Sequence, residues 1–211
     1  WKTNDALTAE NIQRVRTMDL TRNLTPALFC YHGIQYQYLG PSALEDAPLA
    51  WLSEHLRIGS GFYGLLRPLD GIVPYRLEMQ AKLSVDGSRD LYGYWGDAIY
   101  RRLTDGEDHP LIVNLASKEY SRAVEPWLRP GDRFVTCVFG EEGTDRNGRP
   151  KVKVKATQAK MARGSMVRYL AEIRGETEED LKGFQEEGFR FREDLSGDGE
   201  LVFIRKPEDR T

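Results

Sequence analysis

Residues 60–79, SGFYGLLRPLDGIVPYRLEM, restrict the backbone more than any other stretch of the chain. They contain three glycines, two prolines and two arginines: Gly61, Gly64, Gly71, Pro68, Pro74, Arg67 and Arg76. Glycine allows positive φ and the close approach of another backbone or a phosphate, whereas proline fixes φ and ends helices. The stretch therefore predicts tight turns that hold the two arginines in place. Two interpretations stay open: a structural turn in which the arginines pair with Asp70 and Glu78, or a site that binds an anion.

The length and composition predict one globular domain over residues 1–211 with a sizeable core. No apolar run approaches the roughly eighteen residues of a membrane-spanning helix, so we expect no membrane contact. Cys30 and Cys137 are isolated thiols without the spacing of zinc ligands or of a redox pair, which favours a reducing cytoplasm. The three histidines lack metal-binding spacing. We therefore expect neither a metal nor a cofactor.

Charge is distributed unevenly along the chain. Residues 57–168 carry nineteen Lys/Arg and fourteen Asp/Glu, a net charge of +5, whereas residues 169–211 carry a net charge of −6. A basic middle segment is compatible with an anionic partner. The overall pI of about 5.8 argues against a protein that coats nucleic acid non-specifically.

Hydrophobic periodicity alternates between helix and strand. It predicts helices over 8–21, 49–58, 90–103, 116–124 and 160–173, strands over 76–83, 111–115, 133–139 and 151–156, and a closing hairpin from 183–192 and 200–205. The short run 27–31 fits either state. Because helices and strands interleave, the predicted fold class is α/β (mixed α+β) in a single domain.

The predicted helix 49–58, the turn Gly61 to Gly64 and two following leucines are similar to the first helix and hairpin of a helix–hairpin–helix element. In such an element the N–H groups of the loop bind a DNA phosphate, and a neighbouring cation adds charge. Ser60 opens this turn, and Pro68 limits a second helix to about one turn. A glycine-mediated turn that packs its aromatic residues into the core is the structural alternative.

Other polar residues cluster where predicted elements begin or end. They are Tyr75, Arg76 and Glu78 at a strand start, Trp95 and Asp97 in an aromatic helix, Asn114, Ser117 and Tyr120 at a strand–helix junction, and Lys160 and Arg163 in the late helix. Ligands often bind at such junctions in α/β sheets. Their spacing assigns no nucleophile, general acid or general base, and no triad, P-loop or dinucleotide motif is present.

With these residues in view, the chain resembles the peroxide-stress protein family YaaA. The resemblance rests on residues 56–79 and on the segments DLYGYWGD (90–97), VNLASKEY (113–120), KMARGSMVRY (160–169), GFQEEGFRF (183–191) and GELVFIRK (199–206). These segments follow the order of the family and extend over most of the chain. One departure is that family members usually begin with a hydrophobic strand and a Ser-Pro-Ala-Lys-like turn, and nothing similar precedes Trp1. We expect the lack of that segment to remove a central strand and the contribution of its lysine.

The resemblance implies a mixed α/β fold with a helix–hairpin–helix-like element and a positively charged cleft. It implies a cytoplasmic protein of the oxidative stress response that binds duplex or distorted DNA and limits iron-dependent DNA damage. On this sequence the hairpin would be Ser60 to Gly64. The cleft would draw on five cationic residues: Arg57, Arg67, Arg76, Lys160 and Arg163.

Two functional hypotheses follow. In the first, the protein binds DNA, with phosphates on Ser60, Gly61 and Gly64 and on the cleft arginines and lysine. In the second, it is an enzyme that acts on a nucleobase, nucleoside or nucleotide. The small molecule would be held in a cationic pocket of Arg67, Tyr75, Arg76, Asn114 and Lys160. Whether the protein is an enzyme stays open.

Overall fold

The structure is a computed structural model that describes residues 5–105 and 107–205. Its α-helices are α1 (Asp5–Thr17), α2 (Ala27–Cys30), α3 (Ile34–Leu39), α4 (Asp46–His55), α5 (Leu91–Trp95), α6 (Ala98–Leu103), α7 (Lys118–Ser121), α8 (Ala156–Ile173) and α9 (Glu178–Lys182). Its strands are β1 (Thr25–Pro26), β2 (Ile58–Ser60), β3 (Gly64–Leu66), β4 (Gly71–Ile72), β5 (Leu111–Asn114), β6 (Arg133–Thr144), β7 (Pro150–Lys153), β8 (Phe189–Phe191) and β9 (Glu200–Arg205). The predicted mixed α/β class is confirmed.

Contacts within the chain divide it into two compact units. The first comprises Trp1–Tyr31, Ser53–Asp108 and Ala116–Pro130, and the second comprises His32–Leu52, His109–Leu115 and Gly131–Thr211. That residues 1–211 form one domain stays a prediction. Among the described helices, none combines the length and apolar character that crossing a membrane requires.

The first unit is built from short elements around an apolar centre. Strands β1 and β4 pair antiparallel, and β2 and β3 form an antiparallel hairpin in which Ser60 lies opposite Gly64. Leu28, Ile72 and Met79 are almost completely buried and form part of this centre. The hairpin and its neighbours carry most of the predicted site residues.

The second unit contains a five-stranded mixed sheet. Its order is β5-β6-β9-β8, with β7 paired to the far half of β6. Strands β5, β6 and β9 are parallel, whereas β8 runs antiparallel to β9 and closes the predicted hairpin. Alternate β6 residues Val135, Cys137 and Phe139 are buried in the same core cluster as Ala162 and Met166 of α8.

Helix α3 lies unusually close to α8. A Cβ atom built on Gly164 would lie 2.1 Å from the backbone oxygen of Gln35, so only glycine fits between the two helices. The predicted helix 160–173 is confirmed, and it begins four residues earlier, at Ala156.

The predicted strand 76–83 is wrong, and the predicted helix 90–103 is only partly right. Residues 76–83 form no strand, because the backbone N–H and C=O of Arg76 bond to the Asn11 side chain, at 2.9 Å each, instead of to a neighbouring strand. The predicted helix 90–103 is interrupted at Gly96, which has φ +50° and separates α5 from α6. The ambiguous run 27–31 is helical through Cys30.

Candidate functional site

The turn after β2 is organised by the buried side chain of Ser60. Its Oγ accepts hydrogen bonds from the backbone N–H groups of Phe62 (3.2 Å) and Tyr63 (2.8 Å). Ser60 itself is fully buried. Two amides of the proposed phosphate loop are therefore satisfied inside the hairpin, and a phosphate at this turn would depend on neighbouring cationic side chains.

Gly61 allows a backbone segment to approach the hairpin, and Gly64 allows an indole ring to do so. The Nε1–H of Trp95 donates to the carbonyl of Gly61 at 3.0 Å, and a Cβ on Gly64 would lie 2.8 Å from the Trp95 ring. A Cβ on Gly61 would lie 2.8 Å from the carbonyl oxygen of Leu77. Gly64 also has φ +78°. Both glycines, and Trp95 with them, have a structural role in this unit.

The helix–hairpin–helix interpretation is not confirmed, although a helix and a hairpin are present at its first two positions. Helix α4 ends at His55 and the β2–β3 hairpin follows. Leu65 and Leu66, which a second helix would require, lie in strand β3.

A chain of hydroxyl groups extends from Ser60 through the aromatic residues of the first unit. The hydroxyl of Tyr75 lies 2.5 Å from Ser60 Oγ and 2.7 Å from the hydroxyl of Tyr31. The Tyr75 ring packs with centroid distances of 5.3 Å against both Phe62 and Tyr63. Burial raises the pKa of Tyr75 far above its ordinary value and also raises that of Tyr31. These phenols stay protonated at neutral pH and act as hydrogen-bonding groups, not as bases.

Three arginines of the first unit line a shallow, solvent-open cleft. Two of them, Arg57 and Arg67, belong to the predicted cationic site, and the third is Arg102 of α6. Partial burial, then the positive charge of Arg67, lowers the pKa of Arg57; Arg102 lowers it further, while Glu107 opposes the shift. Because all three guanidinium groups line the same cleft, they can face one anion there.

The acidic residues of the cleft are partly engaged elsewhere. Asp70 Oδ2 accepts a hydrogen bond from the backbone N–H of Arg67 at 2.7 Å, which closes the turn around Pro68. Asp105 pairs with Arg102 at 2.9 Å. Within residues 5–105 and 107–205, the guanidinium of Arg67 takes part in no ion pair. Arg67 is therefore the cation of the cleft most available to a ligand.

Sequence reasoning missed Arg102. It lies in a predicted helix next to Arg101, and no local pattern distinguishes the two arginines. Arg101 pairs with Asp97 at 3.0 Å. Asp97, which was predicted to line a pocket, therefore forms an ion pair at the surface. Only the fold of the first unit directs Arg102, and not Arg101, to the cleft.

Other predicted residues of the first unit lie outside the lining of the cleft. Arg76 pairs with Glu78 at 3.4 Å, as the structural interpretation of this stretch expected. Ser117 precedes α7 at its N-cap position without a side-chain capping bond. Tyr120 packs against Gly59, whose Cβ would lie 3.2 Å from the ring, and burial raises the pKa of Tyr120. Arg76, Glu78 and Tyr120 therefore have evident structural contacts.

The remaining predicted residues belong to the second unit. Asn114, at the end of β5, is buried and its Nδ2 donates to Thr136 Oγ1 at 3.1 Å. Lys160 is exposed on α8. One turn later, Arg163 is partly buried, and burial lowers its pKa. Its buried Nε has no hydrogen-bond acceptor among residues 5–105 and 107–205. A buried donor without an acceptor costs about 1–3 kcal/mol, which identifies Arg163 as a candidate contact for an anion.

Neither cysteine is in a disulfide. Burial raises the pKa of Cys137 to about 12, and it also raises the pKa of the partly buried Cys30. Among the described residues, no three His, Cys, Asp or Glu side chains are grouped so that they could hold a metal ion.

Comparison with known proteins gives one consistent result. The family model described as peroxide stress protein YaaA matches residues 1–195. A UPF0246 protein of Agathobacter rectalis is 46% identical over 206 residues, which is 98% of this chain and 80% of that protein. A UPF0246 protein of Limosilactobacillus reuteri is 51% identical over 197 residues, 93% of this chain and 76% of that protein. Another, from Pediococcus pentosaceus, is 48% identical over 97% of this chain and 79% of its own length.

Proposed function

The chain belongs to the peroxide stress protein YaaA family, and from this we propose that it binds DNA through the arginine cleft. The arginines Arg57, Arg67 and Arg102 would contact backbone phosphates, and the bound protein would limit iron-dependent damage to that DNA. The cytoplasm is the proposed location, because two free thiols are typical of proteins in a reducing compartment.

The observation that carries this proposal is the set of three guanidinium groups around one cleft. Guanidinium is the side chain best suited to phosphate, because its planar donors match the phosphate oxygens. Arg57 and Arg67 line the same cleft, so a phosphate bound there would be neutralised by both side chains. The hairpin would fix the position of the arginines, while Ser60, Gly61 and Gly64 would act mainly through its geometry.

Salt dependence of duplex binding tests the proposal. Each phosphate contact contributes about −0.9 to the slope of log K against log salt. We expect fluorescence anisotropy with a labelled duplex to give a strongly negative slope for the unmodified protein. Arg67→Gln should make that slope less negative by about 0.9, because its guanidinium takes part in no ion pair among the described residues that would mask the loss.

Arg101→Gln is the matched control. Arg101 is next to Arg102 on α6, carries the same charge, is 64% exposed at its side chain and pairs with Asp97 away from the cleft lining. Equal slopes for Arg67→Gln and Arg101→Gln would refute a role for the cleft. A lack of duplex binding by the unmodified protein at low salt would refute DNA binding altogether.

Protection of DNA is tested separately. Supercoiled plasmid exposed to Fe²⁺ and hydrogen peroxide should be nicked more slowly with the unmodified protein than with Arg67→Gln at equal concentration. The two proteins are compared at concentrations where only the unmodified protein is bound to the plasmid. Equal nicking rates under these conditions would show that binding does not protect the DNA and would overturn the proposed protection.

A nucleobase, nucleoside or nucleotide as substrate is the second candidate, and the unsatisfied Nε of Arg163 favours it. The phosphate of a nucleotide would supply the acceptor that this buried donor lacks, and Lys160 lies one turn away on the same helix. A ligand at one hundred times its Kd stabilises a protein by about 2.7 kcal/mol. For a chain of this size we expect the thermal midpoint to rise by roughly 5–10 °C.

Thermal-shift measurements with nucleobases, nucleosides and nucleotides test this candidate. The stabilisation should be lost in Arg163→Met and retained in Arg168→Gln, since Arg168 lies on the same helix and pairs with Glu172 at 2.8 Å. No stabilisation of the unmodified protein by any of these compounds would refute this second candidate.

A further inference from the structure

The far half of β6 extends past its pairing with β5 and β9 and forms a two-stranded ribbon with β7. We define the ribbon as residues 141–153. Its register places Glu141 opposite Lys153, Gly143 opposite Lys151, and Thr144 opposite Pro150. The near half of β6 pairs with β5 and β9 instead. Within the described part of the chain, β7 pairs with β6 alone, so the ribbon extends beyond the parallel strands.

The turn of the ribbon is held by its own hydrogen bonds. Asp145 Oδ1 accepts from the backbone N–H groups of Asn147 (2.8 Å) and Arg149 (2.9 Å). The N–H of Asp145 donates to the carbonyl of Arg149 at 2.9 Å, and Gly148 takes the positive φ of +75° that the turn needs. Side chains on this turn are therefore presented by an ordered backbone.

The acidic side chains of the ribbon are engaged. Both carboxylate oxygens of Glu141 accept from Lys155 Nζ, at 2.8 and 2.6 Å, and Glu142 pairs with Arg192. Asp145 is occupied by the amides of the turn. Each of these carboxylates therefore has a partner other than the side chain of a ribbon cation.

Four cations are left on this small, exposed surface. Within residues 5–105 and 107–205 they take part in no ion pair: Arg146, Arg149, Lys151 and Lys153. Lys151 and Lys153 share one face of β7, so they are about 6.6–6.8 Å apart along the strand. The side chain of Lys153 extends across Gly143, where a Cβ would lie 2.6 Å from its Cδ and Cε atoms. The missing side chain at Gly143 thus leaves room for the lysine on the ribbon face.

We propose that the ribbon is a second DNA contact, in which these four cations bind backbone phosphates of the duplex. This proposal rests on the DNA binding proposed above and adds a surface that the cleft does not include. A two-stranded ribbon has the width that the major groove of B-DNA admits. The ribbon has no aromatic or long aliphatic side chain to insert into a bilayer, which favours nucleic acid over an anionic membrane.

Two charge-removing variants of the whole chain test this surface. The double variant Lys151→Gln/Lys153→Gln should make the slope of log K against log salt less negative by about 1.8, and addition of Arg146→Gln and Arg149→Gln should bring the change to about 3.6. The double variant removes no described ion pair, so its thermal midpoint should match that of the unmodified protein. The double variant therefore still tests the proposal if the quadruple variant folds poorly.

The matched control is Arg168→Gln/Lys182→Gln, which also removes two positive charges from the second unit. These two cations pair with Glu172 and Glu179, so we expect little change in slope. If the double ribbon variant and this control have equal slopes, the ribbon proposal is overturned.

The outcomes separate the ribbon from the cleft. A loss of slope in the ribbon variants with none in Arg67→Gln would support the ribbon and overturn the cleft. No duplex binding by the unmodified protein would overturn both proposals. Binding of the unmodified protein to vesicles of phosphatidylserine and phosphatidylcholine, without binding to the duplex, would overturn the choice of DNA as the partner.

Discussion

Replacement of Tyr75 by phenylalanine removes one hydroxyl from the centre of the hydrogen-bonded chain in the first unit. That hydroxyl lies between Ser60 Oγ and the hydroxyl of Tyr31, at 2.5 and 2.7 Å. The ring keeps its volume and its contacts with Phe62 and Tyr63. The change therefore isolates the hydrogen bonds from the packing.

The expected cost follows from the burial of Ser60. Its Oγ keeps two N–H donors from the turn after Tyr75→Phe, but it loses its contact with the tyrosine hydroxyl in a fully buried position. A buried polar group left unsatisfied costs about 1–3 kcal/mol. For a chain of 150–250 residues, about 1 kcal/mol changes the thermal midpoint by roughly 2–4 °C. We expect the free energy of unfolding to fall by about 1–3 kcal/mol and the midpoint by roughly 2–12 °C.

Urea unfolding monitored by circular dichroism measures this cost, with Tyr94→Phe as the control, because Tyr94 is 42% exposed. Ser60→Ala and the double variant complete a thermodynamic cycle. The coupling energy between Ser60 and Tyr75 should lie in the range of about 0.5–3 kcal/mol. If Tyr75→Phe destabilises no more than Tyr94→Phe, or the coupling is zero, the hydroxyl chain does not stabilise the fold.

Gly164→Ala should lower the free energy of unfolding by at least about 1–3 kcal/mol in urea titrations, because its Cβ would overlap the backbone of Gln35; an unchanged midpoint would contradict this packing of α3 against α8. Ellman's reagent should label Cys30 in the folded protein and Cys137 only after unfolding, and equally fast labelling of both would contradict the burial of Cys137. Burial raises the pKa of Tyr75 and of Tyr120 in the folded state, so their contribution to stability is fully present below pH about 10 and is lost as pH rises towards the folded-state values. Absorbance at 295 nm should then show these phenols ionising only as the chain unfolds, and complete ionisation in the folded protein would refute it.

Elements with strong periodicity could be predicted from the sequence. The apolar run 111–115 forms β5 through Asn114, and the late amphipathic segment forms α8. In both elements one apolar face is buried, and the spacing of apolar residues in the sequence shows which residues form that face. The closing hairpin was predicted for the same reason, and β8 and β9 pair in it.

Elements decided by a distant side chain could not be predicted in this way. Alternation at 76–83 indicates a strand, but Asn11, which is 65 positions away from Arg76, bonds the backbone that a strand would use. The local sequence pattern around Arg76 contains no information about a contact with a residue so far away in the chain. The same limit applies to Arg102, since its direction depends on how α6 packs in the first unit and not on its neighbours in the chain.

The glycines and the arginines of residues 60–79 have separate roles, although the sequence presents them together. Gly61 and Gly64 are needed where Leu77 and Trp95 approach the hairpin, so their effect on a ligand is indirect. Arg67 differs, because the turn that positions it also occupies the nearest carboxylate: Asp70 accepts from the backbone N–H of Arg67, and the N–H of Asp70 donates to the Arg67 carbonyl at 3.2 Å. Because the Asp70 carboxylate is bonded to the backbone N–H of Arg67, it does not pair with the Arg67 guanidinium. A residue pair that sequence spacing suggests as a salt bridge therefore leaves the cation available at the edge of the cleft.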